Sequence, residues 1–305
     1  MSHTISNADN HNKTPLFLGI DGGGSKCRVR LEDSKGNVLG EGVAGPANIV
    51  RSVSQTQEAI ITATMIALTN AQLSASRMAD IQAVAGLAGA NVSSAKQRFL
   101  QWQHPFAALT VTTDLHIACE GAHQHHDGAV IILGTGFCAG AKSNQEHIEL
   151  GGHGLLLSDG ASGAWLGLAL VRKTLEVLDG LALASPATDA LLSQLQVNSC
   201  DALVSLAHDE KPAFFASLAA LVLQASDADS HTRNIIEQAA NFVGRYVRHL
   251  TMLGYPRIAL IGGIAAPLTP HLSKAVRSCL YPPLATPEVG ALRLARAHYQ
   301  AAGGS

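Results

Sequence analysis

Short apolar runs separated by glycine-rich or polar turns open the chain. Leu16–Asp21 is apolar and leads into three glycines, Cys27–Leu31 alternates between apolar and polar residues, and Val38–Gly42 follows a Ser-Lys-Gly-Asn turn. Alternation with a period of two, interrupted by tight turns, is typical of antiparallel strands. The opening pattern therefore predicts a three-stranded meander.

Helical and strand-like segments alternate after this meander. Apolar residues recur at helical spacing in Gln57–Ala71, and Ser93–Gln103 also has a helical pattern. Ile81–Ala88 and Leu109–Thr113 are apolar runs with the length of buried strands. The predicted order up to this point is β-β-β-α-β-α-β.

The opening pattern then occurs a second time. Ala129–Leu133 is an apolar strand, a Gly-Thr-Gly turn and the strand Phe137–Lys142 follow it, and a turn at Ser143–Gln145 leads to a third strand at Ile148–Leu150. Further helices are predicted at Ala164–Leu178, Thr232–Leu253 and Glu288–Gln300, and a last buried strand at Arg257–Ile261. A meander that recurs after roughly one domain's length indicates an internal repeat.

The repeat predicts two α/β domains, each with a mixed sheet. We place the N-terminal domain at residues 15–115, joined by the C-terminal helix 288–303, and the C-terminal domain at residues 116–287. The glycine turns of both repeats are expected to face one interdomain cleft, where ligands bind in such folds.

Composition and charge argue against several classes of function. The 305 residues carry a formal net charge of −2 and the basic residues are scattered singly, so neither a nucleic-acid partner nor a membrane contact is expected. The five cysteines form no CxxC pair, which fits reduced thiols in a cytoplasmic protein. Met1–Pro15 is polar, so we expect neither a signal peptide nor a membrane anchor.

The first glycine turn is a candidate phosphate site. It consists of Gly22, Gly23, Gly24, Ser25 and Lys26. Neither GxxxxGK[ST] nor GxGxxG fits it, because Cys27 occupies the position of the last glycine in the second pattern. Consecutive glycine N–H groups, unshielded by Cβ atoms, form a nest for anions. Asp21 at the strand end is suited to hold Mg²⁺ through water; a merely permissive turn is the alternative.

The second glycine turn admits two interpretations. Gly134, Thr135 and Gly136 are followed by Phe-Cys-Ala, which matches the GxGxxA form of a dinucleotide-binding fingerprint. That fingerprint opens a helix, whereas the predicted turn at Ser143–Gln145 returns the chain as a hairpin. We therefore favour a second phosphate hairpin, in which Thr135 and the glycine amides surround the β- and γ-phosphates.

Two aspartates at the ends of predicted elements are candidates for the reaction itself. Asp114 ends a predicted strand, and phosphoryl transfer to a hydroxyl needs a carboxylate that orients the nucleophile and accepts its proton. A cap or turn residue is the alternative for Asp114. Asp159 precedes a predicted helix, where it would either cap the helix or accept hydrogen bonds from sugar hydroxyls.

Three histidines, His123, His125 and His126, suggest a metal site. No fourth ligand and no known zinc spacing accompanies them, so a solvated polar loop is the favoured interpretation.

Ordered motifs across residues 16–301 carry a family resemblance. They are GIDGGGSKCRVRL at 19–31, GPAN at 45–48, GLAGA at 86–90, TTD at 112–114, LGTG at 133–136, GGHG and SDGASG within 151–163, IGGIA at 261–265 and EVGAL at 288–292. In this order and spacing they resemble the BadF/BadG/BcrA/BcrD-type ATPases, and within them the amino-sugar kinases. The resemblance implies two ribonuclease H-like (actin-like ATPase) domains and a kinase that uses ATP and Mg²⁺ to phosphorylate the 6-hydroxyl of N-acetylglucosamine or glucosamine.

The resemblance also implies roles for single residues. Asp114 matches the family's general base. The positions that hold the sugar are matched by Asn48, Gly152, His153, Gly154 and Asp159. Contacts to ATP are matched by Ser25 and Thr135 at the phosphates and by Gly262 and Gly263 at the adenosine. His153 stands where the animal N-acetylglucosamine enzymes have tryptophan, so the acetamide pocket departs from theirs.

Two rival groups of the superfamily fit less well. The repressor/sugar-kinase group carries a cysteine-rich zinc motif and the activator ATPases place cysteines for an iron–sulfur cluster, whereas this sequence has no suitable cysteine set. The alternative functions are a kinase of another hexose such as glucose, or a non-catalytic sugar sensor that retains the fold. A homodimer is the default expectation for the oligomeric state.

Overall fold

A computed structural model describes residues 14–143, 147–225, 229–255 and 257–304. The predicted turn residues Asn144 and Gln145, and most of the leader Met1–Pro15, lie outside these ranges. The chain divides into two units. The first comprises the described residues up to Asp114 and those from Ala291 onward, and the second runs from Leu115 to Gly290.

The first unit contains a mixed five-stranded sheet. Its strands are β1 (Leu16–Gly22), β2 (Cys27–Glu32), β3 (Val38–Ala44), β4 (Ile81–Leu87) and β5 (Ala108–Thr113). The order is β3-β2-β1-β4-β5. β1, β2 and β3 pair antiparallel, as the alternating pattern predicted, whereas β4 and β5 run parallel to β1.

The second unit repeats this arrangement in a mixed four-stranded sheet. Its strands are β6 (Gly128–Leu133), β7 (Phe137–Lys142), β8 (His147–Gly151) and β9 (Ile258–Ile261), in the order β8-β7-β6-β9. β6, β7 and β8 form an antiparallel meander, and β9 runs parallel to β6. The predicted fold class, α/β with two mixed sheets, is confirmed.

The α-helices surround these sheets in sequence order. They are α1 (Val53–Asn70), α2 (Ser93–Leu100), α3 (Asp114–His123), α4 (Gly163–Leu178), α5 (Pro186–Leu195), α6 (Cys200–Ala207), α7 (Pro212–Ser217), α8 (Ala219–Leu223), α9 (Ser230–Met252), α10 (Ala265–Leu268), α11 (Lys274–Arg277) and α12 (Pro287–Ala301). Short 3₁₀ turns cover Ala75–Asp80 and Thr269–His271. No helix within the described ranges is long and apolar enough to cross a bilayer.

Small residues allow a close approach between helix and sheet in the first unit. α1 buries Ala63 and Ala67 against β3. A Cβ atom at Gly40 would overlap the carbonyl oxygen of Ala67, and one at Gly42 would overlap that of Ala63. The glycines of β3 therefore let the backbone of α1 lie directly on the strand.

The C-terminal helix α12 is fastened to the first sheet by Arg296. Its guanidinium donates to the Glu32 carboxylate at 2.9 Å and to the carbonyl oxygens of Asp33 at 2.8 Å and Ser34 at 3.1 Å. The same group lies 4.4 Å from the centre of the Phe17 ring. These contacts tie the end of the chain to β1 and β2.

α3 corrects the expectation of a solvated histidine loop. The sequence pattern did not predict this helix, and its last residue, His123, is only 1% exposed. Its Nε2 donates to the Ala129 carbonyl oxygen at 2.7 Å, and its ring packs against Gly128, where a Cβ would lie 2.6 Å away. The expectation holds for His125 and His126, which are exposed, but is wrong for His123.

A single carboxylate joins two helices of the second unit. Asp229 caps α9 by accepting from the N–H groups of His231 and Thr232, and its other oxygen accepts from the Ala187 N–H in the first turn of α5 at 3.0 Å. Burial by itself would raise the pKa of Asp229, but these N–H donors and the Ser185 side chain outweigh it and leave the pKa below its usual value.

Asp229→Ala should therefore lower the stability of the protein by about 1–2 kcal/mol at pH 7. Because the pKa of Asp229 is depressed on folding, its contribution is complete above the unfolded value of about 4 and is lost as the pH falls through the folded value. Urea unfolding between pH 7 and pH 3 measures this. A deficit that stays constant over the whole range would contradict the assignment.

Candidate active site

The predicted site residues form two sets, one in each unit. The first unit holds Asp21, Gly22, Gly23, Gly24, Ser25, Lys26, Asn48 and Asp114. The second unit holds Gly134, Thr135, Gly136, Gly152, His153, Gly154, Asp159, Gly262 and Gly263.

In the first unit, the set gathers at the carboxyl ends of the parallel strands. Gly22 of β1 lies in register with Leu87 of β4, which in turn lies in register with Thr113 of β5. Two strand spacings of ~4.8 Å separate β1 from β5, so the start of the glycine turn and Asp114 lie at one sheet edge roughly 10 Å apart.

The first glycine turn is a tight hairpin between β1 and β2. The N–H of Gly23 donates to the Lys26 carbonyl oxygen at 2.9 Å, and the N–H of Ala47 donates to the Gly23 carbonyl oxygen at 2.9 Å. A Cβ at Gly22 would lie 2.5 Å from the Leu87 side chain, so close packing requires glycine there. Ser25 and Lys26, which complete the tip, are exposed.

Asn48 is fixed at the same sheet edge. It forms a bridge with Ala88, the residue after β4. Its side-chain oxygen accepts from the N–H groups of Val50 at 3.0 Å and Arg51 at 3.2 Å. This Asx-type turn uses the oxygen for the backbone, so the amide NH₂ is the group left for a ligand.

Asp114 begins α3 directly after β5, without an intervening loop. It is half-buried. A carboxylate in the first turn of a helix is stabilised by the helix dipole. The position is therefore consistent with both interpretations of Asp114, a residue that starts a helix and a carboxylate presented at the sheet edge.

The second glycine turn is also a hairpin. β6 and β7 pair antiparallel through it, which contradicts the dinucleotide-binding fingerprint because that motif opens a helix. The first N–H groups of α4 hold the hairpin: Gly163 donates to the Gly134 carbonyl oxygen at 2.8 Å, and Ala164 donates to that of Thr135 at 3.2 Å.

Gly262 lies beside this hairpin because β9 is parallel to β6. Its φ is +99°, and a Cβ there would overlap the carbonyl oxygen of Leu133, which also accepts from the Ile264 N–H at 3.0 Å. A side chain at this position is therefore excluded both by conformation and by space. Gly263 is exposed, with no atom within 4 Å of the position of a Cβ.

Asp159 is the most constrained of the predicted residues. It has a left-handed backbone with φ of +57°, and two residues later Ala161 has φ of +64°. The residue is 7% exposed, and its Oδ1 atom has no hydrogen-bond partner. Ser162, whose Oγ accepts from the Trp165 N–H, is the N-cap of α4, so the alternative of Asp159 as the helix cap is wrong.

The carboxyl group of Asp159 lies against the second hairpin. A Cβ at Gly136 would be 3.0 Å from its Oδ2 atom. Burial raises the pKa of Asp159, and the N–H groups of Gly154 and Phe137 and the nearby His153 only partly oppose this. The site thus holds a desolvated carboxyl group with one oxygen available for a donor on a ligand.

The segment that follows β8 brings three more predicted residues to Asp159. Gly152 and Gly154 have φ of +71° and +90°, and His153 between them is exposed. The turn closes when the Ser158 N–H donates to the Gly154 carbonyl oxygen at 2.8 Å. Backbone groups and an imidazole are therefore presented next to the buried carboxyl group.

The sequence patterns did not single out the aromatic residues below this segment. Phe137, Phe242 and Tyr246 form a cluster of mutually contacting rings. The spacing of Phe242 and Tyr246 by four residues on α9 was a signal, but it equally fits an ordinary buried helix face.

The comparison with known families places these observations. A model of the BadF/BadG/BcrA/BcrD ATPase family matches residues 18–295. The chain belongs to this family.

Similar proteins include sugar kinases. A glucosamine kinase of Vibrio cholerae is 30% identical to this family member over 280 residues, which are 92% of the chain and 95% of the relative. An N-acetyl-D-glucosamine kinase of Dictyostelium discoideum is 27% identical over 260 residues, 74% of the chain and 76% of the relative.

Solved structures agree with the fold. A structure from Chromobacterium violaceum, assigned as an N-acetylglucosamine kinase, superposes with a TM-score of 0.87 at 30% identity and covers 92% of this chain and 99% of its own. A ROK family glucokinase from Streptomyces griseus superposes with a TM-score of 0.51 at 15% identity over 93% and 98% of the two chains, which shows a shared fold. The fold of this BadF/BadG/BcrA/BcrD ATPase is thus the one that the motifs implied.

The two adjacent glycines at 262 and 263 give a matched test of the second site's geometry. Gly262→Ala should destabilise the protein by about 2 kcal/mol or more, since it combines a positive φ with a backbone overlap. Gly263→Ala should change stability by less than about 0.5 kcal/mol. Urea unfolding of both variants measures the difference, and equal midpoints would contradict the described geometry.

Proposed function

We propose that this protein is an ATP-dependent kinase that transfers the γ-phosphoryl group to the 6-hydroxyl of an amino sugar, glucosamine or N-acetylglucosamine. The observation that carries the proposal is the buried Asp159, whose Oδ1 atom lacks a partner and whose Oδ2 atom lies against the second glycine hairpin. A buried acceptor of this kind is suited to a hydroxyl-rich ligand.

The acceptor side of the proposal rests on five residues. Asp159 accepts from sugar hydroxyls, the amide of Asn48 donates to the sugar, and the backbone around His153 supplies further polar contacts through Gly152 and Gly154. Burial of Asp159 supports its role, because a buried site built to hydrogen-bond a hydroxyl discriminates strongly against ligands that lack it.

The ATP side rests on the two hairpins. Gly22, Gly23, Gly24, Ser25 and Lys26 in the first, and Gly134, Thr135 and Gly136 in the second, surround the phosphates. Gly262 and Gly263 form the turn against the adenosine. In each hairpin the close packing of a glycine, at Gly22 and at Gly136, supports a backbone surface that phosphates can approach.

Asp114 is the proposed general base. Its carboxylate accepts the proton of the 6-hydroxyl as the oxygen attacks the γ-phosphorus, the bond from that phosphorus to the β–γ bridging oxygen breaks, and ADP leaves. The sugar 6-phosphate keeps the new oxygen–phosphorus bond. The position of Asp114 at the sheet edge that carries the first hairpin supports this role.

Mg²⁺ fits the chemistry of the first hairpin. Asp21 offers a half-buried carboxylate at the end of β1, 3.8 Å from the Arg28 guanidinium. Mg²⁺ is usually bound by one or two carboxylates together with substrate phosphates and water. Asp21 would hold the ion through water, and the ion would neutralise charge on the transferred phosphoryl group.

The relatives narrow the acceptor to amino sugars without choosing between them. Those named as glucosamine kinase and as N-acetyl-D-glucosamine kinase both align with this chain over most of its length. Glucose as the acceptor, or a sugar sensor without catalysis, are the competing functions.

ADP release measured with glucosamine, N-acetylglucosamine and glucose decides among these functions. We expect turnover with at least one amino sugar and a lower kcat/KM with glucose. Asp114→Asn should reduce kcat about 10²–10⁴-fold, because the proton acceptor is lost.

Asp127→Asn is the matched control, since Asp127 is an exposed aspartate in the turn before β6. It should retain the wild-type rate. The proposal fails if no sugar is phosphorylated, and the assignment of the base fails if Asp114→Asn keeps full turnover.

A further inference from the structure

Three aromatic side chains of the second unit form what we call the aromatic triangle, Phe137, Phe242 and Tyr246. The ring centres of Phe137 and Phe242 are 4.9 Å apart, those of Phe137 and Tyr246 are 4.6 Å apart, and those of Phe242 and Tyr246 are 5.1 Å apart. Such pairs contribute about 0.5–1.5 kcal/mol each beyond the burial of their area. The triangle is therefore a stiff element of the unit.

The triangle contacts both ends of residues 151–160, which we call the acceptor loop. At the start of the loop, a Cβ on Gly151 would lie 2.9 Å from Phe137 Cε1 and 3.1 Å from the Tyr246 hydroxyl. At the end, a Cβ on Gly160 would lie 2.6 Å from Phe242 Cδ2. Glycine at both ends lets the rings pack directly on the loop backbone.

The middle of the acceptor loop has little packing of its own. Leu156 is 91% exposed and Leu157 is 81% exposed. Asp159 nevertheless keeps a left-handed backbone and a buried carboxyl group. Since such a conformation persists only where the surroundings impose it, the constraint must come from the ends of the loop.

The triangle is also electrostatically close to Asp159. The Phe137 N–H favours the charged form of the Asp159 carboxyl group. Burial raises the pKa of Tyr246, Arg245 opposes this, and the negative charge of Asp159 raises it further. Tyr246 therefore lies within reach of the carboxyl group's field while its hydroxyl packs on Gly151.

We propose that Tyr246 is a positioning residue for the acceptor: its ring, with those of Phe137 and Phe242, holds the acceptor loop so that Asp159 and the backbone at His153 keep the geometry that binds the sugar. This inference rests on the proposed function, because it concerns the same acceptor. It predicts that loss of the ring affects sugar binding more than ATP binding.

Steady-state kinetics of Tyr246→Leu and Tyr246→Phe test the inference. Tyr246→Leu should raise KM for the amino sugar about five- to tenfold and leave KM for ATP within about twofold, where tenfold corresponds to about 1.4 kcal/mol. Tyr246→Phe keeps the ring and should restore the wild-type KM for the sugar. Tyr281→Leu is the matched control, since Tyr281 packs on Arg257 at the amino end of β9, the opposite end from Gly262.

Hydrogen exchange of the amides of residues 151–160 supplies a readout that needs no turnover. Exchange should accelerate in Tyr246→Leu and stay at the wild-type rate in Tyr281→Leu. If Tyr246→Leu does not fold, Phe242→Leu replaces it in both measurements with the same expected results.

The inference is overturned if sugar KM is unchanged, if both KM values rise equally, if Tyr246→Phe fails to restore KM, or if loop exchange is unaffected. A wild-type protein that phosphorylates no sugar overturns the proposed function instead. In that case accelerated exchange in Tyr246→Leu would still support the constraint on the loop.

Discussion

A buried carboxyl group with one unsatisfied oxygen is the constraint around which the second unit is organised. Leaving a buried acceptor without a partner costs about 1–3 kcal/mol. Asp159 and Ala161 add the cost of two left-handed residues, about 1–2 kcal/mol each. The Ser162 cap of α4, the hairpin at Gly136 and the aromatic rings under the loop all act to hold this unfavourable arrangement. A structure that retains such a cost without a ligand is suited to one whose binding removes it, and a polyhydroxylated sugar meets that need.

Glycine at the carboxyl ends of strands provides the second part of the account. In both units a buried strand ends in a glycine hairpin, and a parallel strand beside it brings another loop to the same edge. In the first unit this juxtaposes the hairpin at Gly22 with Asp114, and in the second it juxtaposes the hairpin at Gly134 with Gly262. The same topology thus produces, in one unit, a phosphate surface beside a carboxylate that can accept a proton and, in the other, a phosphate surface beside a sugar-binding carboxyl group.

Local signals sufficed to predict the meanders, the repeat and most helices, because alternation and glycine turns are encoded within a few residues. α3 escaped prediction since β5 passes into it at Asp114 with no loop and no separate cap, and since Gly121 lies inside it. The burial of His123 depends on space provided by Gly128, five residues later and on a strand. The left-handed backbone of Asp159 and its unsatisfied oxygen are likewise products of tertiary packing, so the sequence could suggest the residue but not its state.

The position of the phosphate on the product tests the central proposal most directly. The protein should be incubated with ATP, Mg²⁺ and ¹³C-labelled glucosamine or N-acetylglucosamine, and the product examined by NMR. The account predicts phosphorus coupling to carbon 6 of the sugar, with one ADP formed per sugar phosphate. Phosphorylation at carbon 1, or ADP formed without any sugar phosphate, would contradict it.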